Sequence, residues 1–203
     1  MSSIKHAHHR RRLAVAGAIT AAALLLAACG GGNGSGDDPA ATGAFNDADV
    51  AFAQGMIPHH QQAVEMSALA DDRAASTEIK ALAGEIEKAQ DPEITTMRSW
   101  LKAWGEPESA DGRTPGMHHG SSGSGDAAGM MSDQDMADLT AAEGADFDKK
   151  FAALMIEHHN GAIAMAREER KNGESTKAKK LAAEVIEAQT AEVEQLNALH
   201  DRL

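Results

Sequence analysis

From about residue 45 onward the chain is written mostly in helical period. Apolar residues return every three or four positions, no stretch alternates with period two, and the strong helix formers Ala, Glu, Lys, Leu and Met dominate. The pattern predicts four long helices. The first covers 47–70, with Asp47 or Asp49 as its cap. The second covers 76–104 and stops at Gly105 and Pro107. Pro92 inside it predicts a kink, or a restart capped by Asp91. The third covers 145–171 and ends at Asn172-Gly173, and the fourth runs from 175 to the end. Between the second and third, Ser132 with Asp135 three residues on signals a short capped helix.

The two helical stretches repeat each other. A shift of 99 residues lays Asp49 on Asp148, Phe52 on Phe151, Met56 on Met155, His59 on His158, His60 on His159, Ala63 on Ala162 and Met66 on Met165. The same offset, without a gap, lays Leu82 on Leu181, Glu85 on Glu184, Gln90 on Gln189 and Glu93 on Glu192. Composition bias does not hold one register across a loop, so the chain is a duplication. Each copy is a helical hairpin, which cannot bury its apolar stripe alone. The predicted fold is therefore all-α: an antiparallel four-helix bundle made of two duplicated hairpins. Repeat one covers 45–105, a crossover covers 106–144, and repeat two covers 145–203.

Chemistry sits on the first and third helices. At about 100° per residue, Phe52, Met56, His59, His60, Ala63 and Met66 fall on one arc of roughly 120°, the width of a core-facing stripe. The third helix repeats the arc with Phe151, Met155, His158, His159, Ala162 and Met165. Methionine on such a stripe is ordinary packing, and a single histidine is more often a hydrogen-bonded core residue than a ligand. Paired histidines, duplicated and flanked twice by methionine, point to metal. Imidazole suits several transition metals and thioether suits copper(I) and other soft ions such as silver. Copper is the expected metal. Gln90 and Gln189, at matching places on the second and fourth helices, are candidates to orient the imidazoles. The Gly- and Ser-rich crossover holds Met117, His118, His119, Met130, Met131 and Met136, a set that could capture metal without a preformed site or could be solvated linker. Trp100 and Trp104, one turn apart, are expected to pack at the rim of the bundle.

The beginning of the chain adds a location. Lys5 and Arg10-Arg11-Arg12 precede the uncharged, Ala- and Leu-rich stretch 13–28, which is too short for a comfortable membrane span and ends Leu26-Ala27-Ala28-Cys29. This is the arrangement of a lipoprotein leader: 1–28 removed, Cys29 lipidated, 29–44 a flexible spacer, and 45–203 the folded domain. Cys29 is the only cysteine, so the exported domain has no disulfide. Loss of Lys5 and the three arginines makes a chain of formal charge −12 more negative still by four. Such a surface repels nucleic acid and anionic lipid. The expected setting is extracytoplasmic, held to a membrane through the lipid only. No partner protein is legible.

Those residues resemble a known family. Met56-Ile57-Pro58-His59-His60-Gln61-Gln62-Ala63 is similar to the hallmark of the domain of unknown function family 305. So are its second copy, Met155-Ile156-Glu157-His158-His159-Asn160-Gly161-Ala162, and the stretch from Ala89-Gln90 to Trp100-Leu101. The resemblance covers about 45–203. It implies a ferritin-like four-helix fold. Some members are exported copper-binding proteins linked to copper tolerance, with Met and His ligands. Carried over by motif, it implicates Met56, His59, His60, Met66, Met155, His158, His159 and Met165. One departure stands out: His200 occupies the place of Leu101 in the first copy. The expected function is copper binding, buffering or chaperoning. A structural or partner-binding bundle, with the histidines in buried hydrogen bonds, is one alternative. A ferritin-like metal-dependent oxidase is the other, disfavoured because the long helices carry no Glu-x-x-His pair and Glu157 directly precedes His158.

Overall fold

The computed structural model describes residues 43–109 and 129–203. The leader, Cys29, Met117, His118 and His119 lie outside the described residues. Within them the chain is helical and holds no strand; one isolated backbone bridge joins Ala74 to Gly144. The helices are α1 Asp47–Ala68, α2 Ala70–Arg73, α3 Thr77–Trp104, α4 Asp133–Ala141, α5 Gly144–Asn172 and α6 Thr176–His200. None is long and apolar enough to cross a membrane.

The starts and stops follow local chemistry, with one difference from expectation at the cap of α1 and one open choice decided at Pro92. The cap of α1 is Asn46, whose side chain accepts from the backbone of Ala48 and Asp49. Asp49 returns the bond to the backbone of Asn46, closing a capping box, so it sits one turn inside the helix. Pro92 neither breaks nor restarts α3, which runs through it. The apolar face on both sides of the proline (Ile86, Ile94, Met97, Leu101) is buried, and that burial outweighs one missing backbone bond. Ser132 caps α4 in a box with Asp135, as predicted. Gly105 ends α3 in the left-handed conformation, φ 78°, and Glu106 N donates to Leu101 O.

The long helices α1, α3, α5 and α6 form an antiparallel four-helix bundle. Each hairpin packs on itself, α1 on α3 and α5 on α6, and the hairpins meet mainly through α1 against α5. Their ends interlock. Asp49 accepts from the backbone of Glu174 and Ser175, at 3.0 and 2.9 Å, in the turn of the other hairpin. Asp148 accepts from Ala75 and Ser76, at 3.1 and 2.9 Å, in the turn of the first. The offset of 99 residues maps one clasp onto the other, so the duplication is a spatial pseudo-two-fold.

Two apolar clusters fill the interior. One includes Met66, Ile79, Ile86, Phe147, Phe151, Met155 and Leu196; the other includes Phe52, Met56, Ile57, Ile94, Met97, Ala162 and Val185. On every long helix one or two buried polar residues fall at the break between them: His59 and His60 on α1, Gln90 on α3, His158 and His159 on α5, Gln189 on α6.

The crossover returns at 129–131. Gln62 Nε2 donates to Met131 O at 2.9 Å and Met131 N donates to Gln62 Oε1 at 2.7 Å. Gly129, φ 78°, lies against α5: a methyl there would stand 2.8 Å from Glu157 O and from the Cα of Gly161. Met131, Met136 and Leu139 then pack on the cluster that holds Met66 and Phe147. Met131 and Met136 therefore serve as packing in the structure, where the sequence leaves a capture tract and a solvated linker both open.

Candidate metal centre

All four histidines of the repeated motif are buried. They divide by role. His59 and His158, one from each central helix, meet in the middle of the bundle with ring centroids 3.7 Å apart and planes tilted by 42°. His60 and His159 turn away, toward the flanking helices. His60 Nε2 stands 2.7 Å from Glu93 Oε2, and His159 Nε2 stands 2.7 Å from Glu192 Oε2. An ionised carboxylate only accepts, so each ring donates from Nε2, and in the neutral tautomer its Nδ1 carries the lone pair.

The glutamates thus take the place expected for Gln90 and Gln189. Both glutamines are buried, but the side-chain oxygen and nitrogen of Gln90 and the oxygen of Gln189 have no hydrogen-bond partner among the described residues. Glu93 and Glu192 lie one turn further on, where the ring nitrogens face. Sequence reasoning passed over them because a glutamate on a helix normally marks the solvated side. The available signal was the repeat itself, which pairs Glu93 with Glu192 in the register of the histidines.

Burial, followed by the neighbouring His59, His159 and His60, pushes His158 down from 6.5 to about 2. It is therefore neutral across the physiological range. Both of its ring nitrogens, and Nδ1 of His60 and His159, are buried without a hydrogen-bond partner among the described residues. Leaving such atoms unsatisfied costs ~1–3 kcal/mol each. Buried imidazole lone pairs with nothing to accept are a donor set suited to a soft or borderline cation.

The thioethers line the axis on both sides of this layer. Met56, Met66 and Met155 are fully buried, while Met165 is half-buried. Met66 and Met165 lie seven residues from His59 and His158, ~10 Å along their helices. The structure brings the imidazoles of the two halves into contact and spaces these methionines outward along the interface. At metal–imidazole distances of ~2 Å, two rings sharing one ion keep their centres beyond ~4.4 Å. At 3.7 Å, His59 and His158 must part slightly to hold an ion between them. Among the described residues no three His, Cys, Asp or Glu side chains are grouped to hold one ion.

A second buried acid group lies at one end of the α1–α5 interface. Glu169 is buried beside Asp49, and desolvation together with that carboxylate pushes it up to about 8. The backbone bonds from Asn46, Glu174 and Ser175 outweigh burial at Asp49 and hold it below the usual carboxylate value. At the rim, Phe45 stacks on Trp104 and Trp104 on Trp100, as expected of rim packing.

Comparisons with known proteins agree with this architecture. The model of the domain of unknown function family DUF305 matches residues 49–200. No curated protein sequence matches the chain. Among solved structures, a DUF305 protein from Streptomyces coelicolor, assigned as secreted, is 31% identical, with a TM-score of 0.66 over 75% of this chain and 91% of that one. A DUF305 fragment from Deinococcus radiodurans is 27% identical, with a TM-score of 0.67 over 78% of this chain and 98% of that one. CopM in its Cu(II)-bound form is 33% identical, with a TM-score of 0.64 over 76% of this chain and 96% of that one. CopM has also been solved in Cu(I)-bound, Ag-bound and apo forms.

Proposed function

The chain belongs to the DUF305 family, and on that premise we propose that it is a lipid-anchored, extracytoplasmic copper-binding protein that buffers or hands on the metal. Copper here is cargo. The observation that carries the reading is the contact of His59 with His158 at the pseudo-two-fold centre, between thioethers of both repeats. His158 is neutral, all four imidazoles are buried, and Glu93 and Glu192 hold His60 and His159 through Nε2 from behind, as carboxylates do for metal-bound histidines. Imidazole with thioether favours copper(I) and silver over zinc, which more often takes thiolate or carboxylate. The Cu(II), Cu(I) and Ag forms of CopM support the same choice. The Lys- and Arg-led stretch ending at Cys29 supports export and lipidation, and the relative from Streptomyces coelicolor assigned as secreted supports the compartment.

The test is thermal stability of the purified protein titrated with Cu(I), Ag(I), Zn(II) and Fe(II). A ligand held only by the native state at a hundred times its Kd stabilises by about 2.7 kcal/mol. Copper(I) and silver are expected to raise Tm by several degrees, and His59→Ala with His158→Ala to remove the response while the helical signal persists. A Tm indifferent to every metal would reject the reading in favour of a bundle whose histidines serve packing, which the 3.7 Å ring contact also fits. Cys29→Ser is expected to abolish incorporation of labelled fatty acid.

A further inference from the structure

The pseudo-two-fold gives the α1–α5 interface two equivalent grooves, one at each methionine end, and the chain treats them differently. The groove over Met66 is filled: Met131, Met136 and Leu139 of the returning crossover pack there, and Met66 is fully buried. Among the described residues the groove over Met165 is open, a cavity of about 510 Å³ lined by Ala48, Phe52, Met165 and Glu169 together with Arg167 and Glu168, whose opposite charges offset each other.

Two substitutions between the repeats deepen the difference. Leu154 of the second repeat corresponds to Gly55 in the first. A methyl placed on Gly55 would lie 3.7 Å from Met165 Sδ, so a longer side chain there would occupy the space beside the sulfur. Glu169, one turn beyond Met165, corresponds to Ala70, one turn beyond Met66. The open end therefore pairs a half-exposed thioether with a carboxyl group on the same helix face, and the closed end pairs a buried thioether with a methyl. The filled groove and the glycine are separate departures from symmetry, and both make the Met165 end the one that a cation can reach.

Resting on the copper reading above, we propose that soft monovalent ions reach and leave the buried His59–His158 pair through the Met165 groove, with Met165 as the first sulfur they meet and the Met66 end sealed by α4. Met165 lies two helical turns from His158, ~10 Å along the axis, so it is a station on the route and not a co-ligand of the central pair. No bond is made or broken apart from exchange of metal–ligand contacts, and the ion keeps its oxidation state.

Two measurements test this. The first is the rate at which the protein takes Ag(I) or Cu(I) from a chromophoric chelator in stopped flow. Met165→Leu is expected to load at least tenfold more slowly than Met66→Leu. Gly55→Leu, which gives the first repeat the residue of the second, is expected to slow loading similarly while the amount finally bound stays at the wild-type value. Equal rates for Met165→Leu and Met66→Leu overturn the proposal and leave the copper reading standing. A wild-type protein that takes up neither ion overturns both. The second needs no variant: dilute hydrogen peroxide on the metal-free protein, read by peptide mass spectrometry. Met165 is expected to become sulfoxide well before Met56, Met66 and Met155, and to be protected by Ag(I). Oxidation of Met66 as fast as Met165 overturns the asymmetry whatever the variants do.

Discussion

At the scale of single residues, two buried ionisable groups set opposing pH limits. His158 has its folded pKa held far below the unfolded 6.5. Below 6.5 the unfolded chain takes up a proton that the native state refuses, so stability falls as pH falls, by up to about 1.4 kcal/mol per pH unit. Glu169 is the reverse case, its folded pKa raised from 4.5 to about 8. Its protonated form favours the native state below 4.5, and that contribution is lost as pH rises through 8. Between about pH 4.5 and pH 6.5 the two terms run in opposite directions and offset each other, so the Tm of the metal-free protein is expected to change little from pH 7 to pH 5. Glu169→Gln, which keeps the shape without the titration, is expected to raise Tm at pH 8 relative to wild type and to change little at pH 4.5. Melting curves across that range check both. The motif histidines were legible in the sequence because Met-x-x-His-His recurs in one register. Their division into a stacked central pair and a carboxylate-bound outer pair was not. It depends on which ring faces α5 and which faces α3, and adjacent residues on a helix differ by about 100° in direction.

At the scale of elements, a pair of side chains near helix starts ties together the ends of hairpins that α1 and α5 already pack against each other. Asp49 and Asp148 each finish the turn of the opposite hairpin. Replacing either by Ala strands two backbone donors and a helix start, a loss of about 1–2 kcal/mol by analogy with N-caps. The clasps lie at opposite ends of the bundle, so Asp49→Ala and Asp148→Ala are expected to be additive within ~0.5 kcal/mol in denaturant unfolding. Strong coupling would show that the ends communicate. Four helices and their limits could be read from period and capping residues to within a few positions. The cap of α1 was misplaced because 46–49 holds several side chains capable of capping, and only the geometry shows that Asp49 works both as the third residue of a capping box and as a clasp. At Pro92 the sequence leaves a kinked continuous helix and a restart open, since local chemistry permits either, and only burial on both sides decides for the continuous helix.

At the scale of the whole molecule, duplication predicted the bundle and the meeting of the two histidine motifs, but symmetry is where sequence reading stops. Among the described residues the crossover covers only one of the two equivalent grooves. Gln62 and Gly161 occupy corresponding positions, yet one clamps the backbone of Met131 and the other makes room for Gly129. Gly129→Ala places a methyl against the backbone of α5 at a positive φ. It is expected to cost about 1–3 kcal/mol and to speed protease cleavage around residues 129–142, measured against the bundle's intact fragments. Cleavage at the wild-type rate would show that the docked crossover tolerates the change.

The crossed clasps also bear on what a single hairpin could have been before duplication. Cut free, either half lacks the carboxylate that completes its own turn and carries one that fits the turn of its twin. Two identical copies would satisfy each other through the same surface, which is the definition of an isologous dimer. The present chain keeps that self-complementary junction inside one polypeptide, where its two sides can change independently.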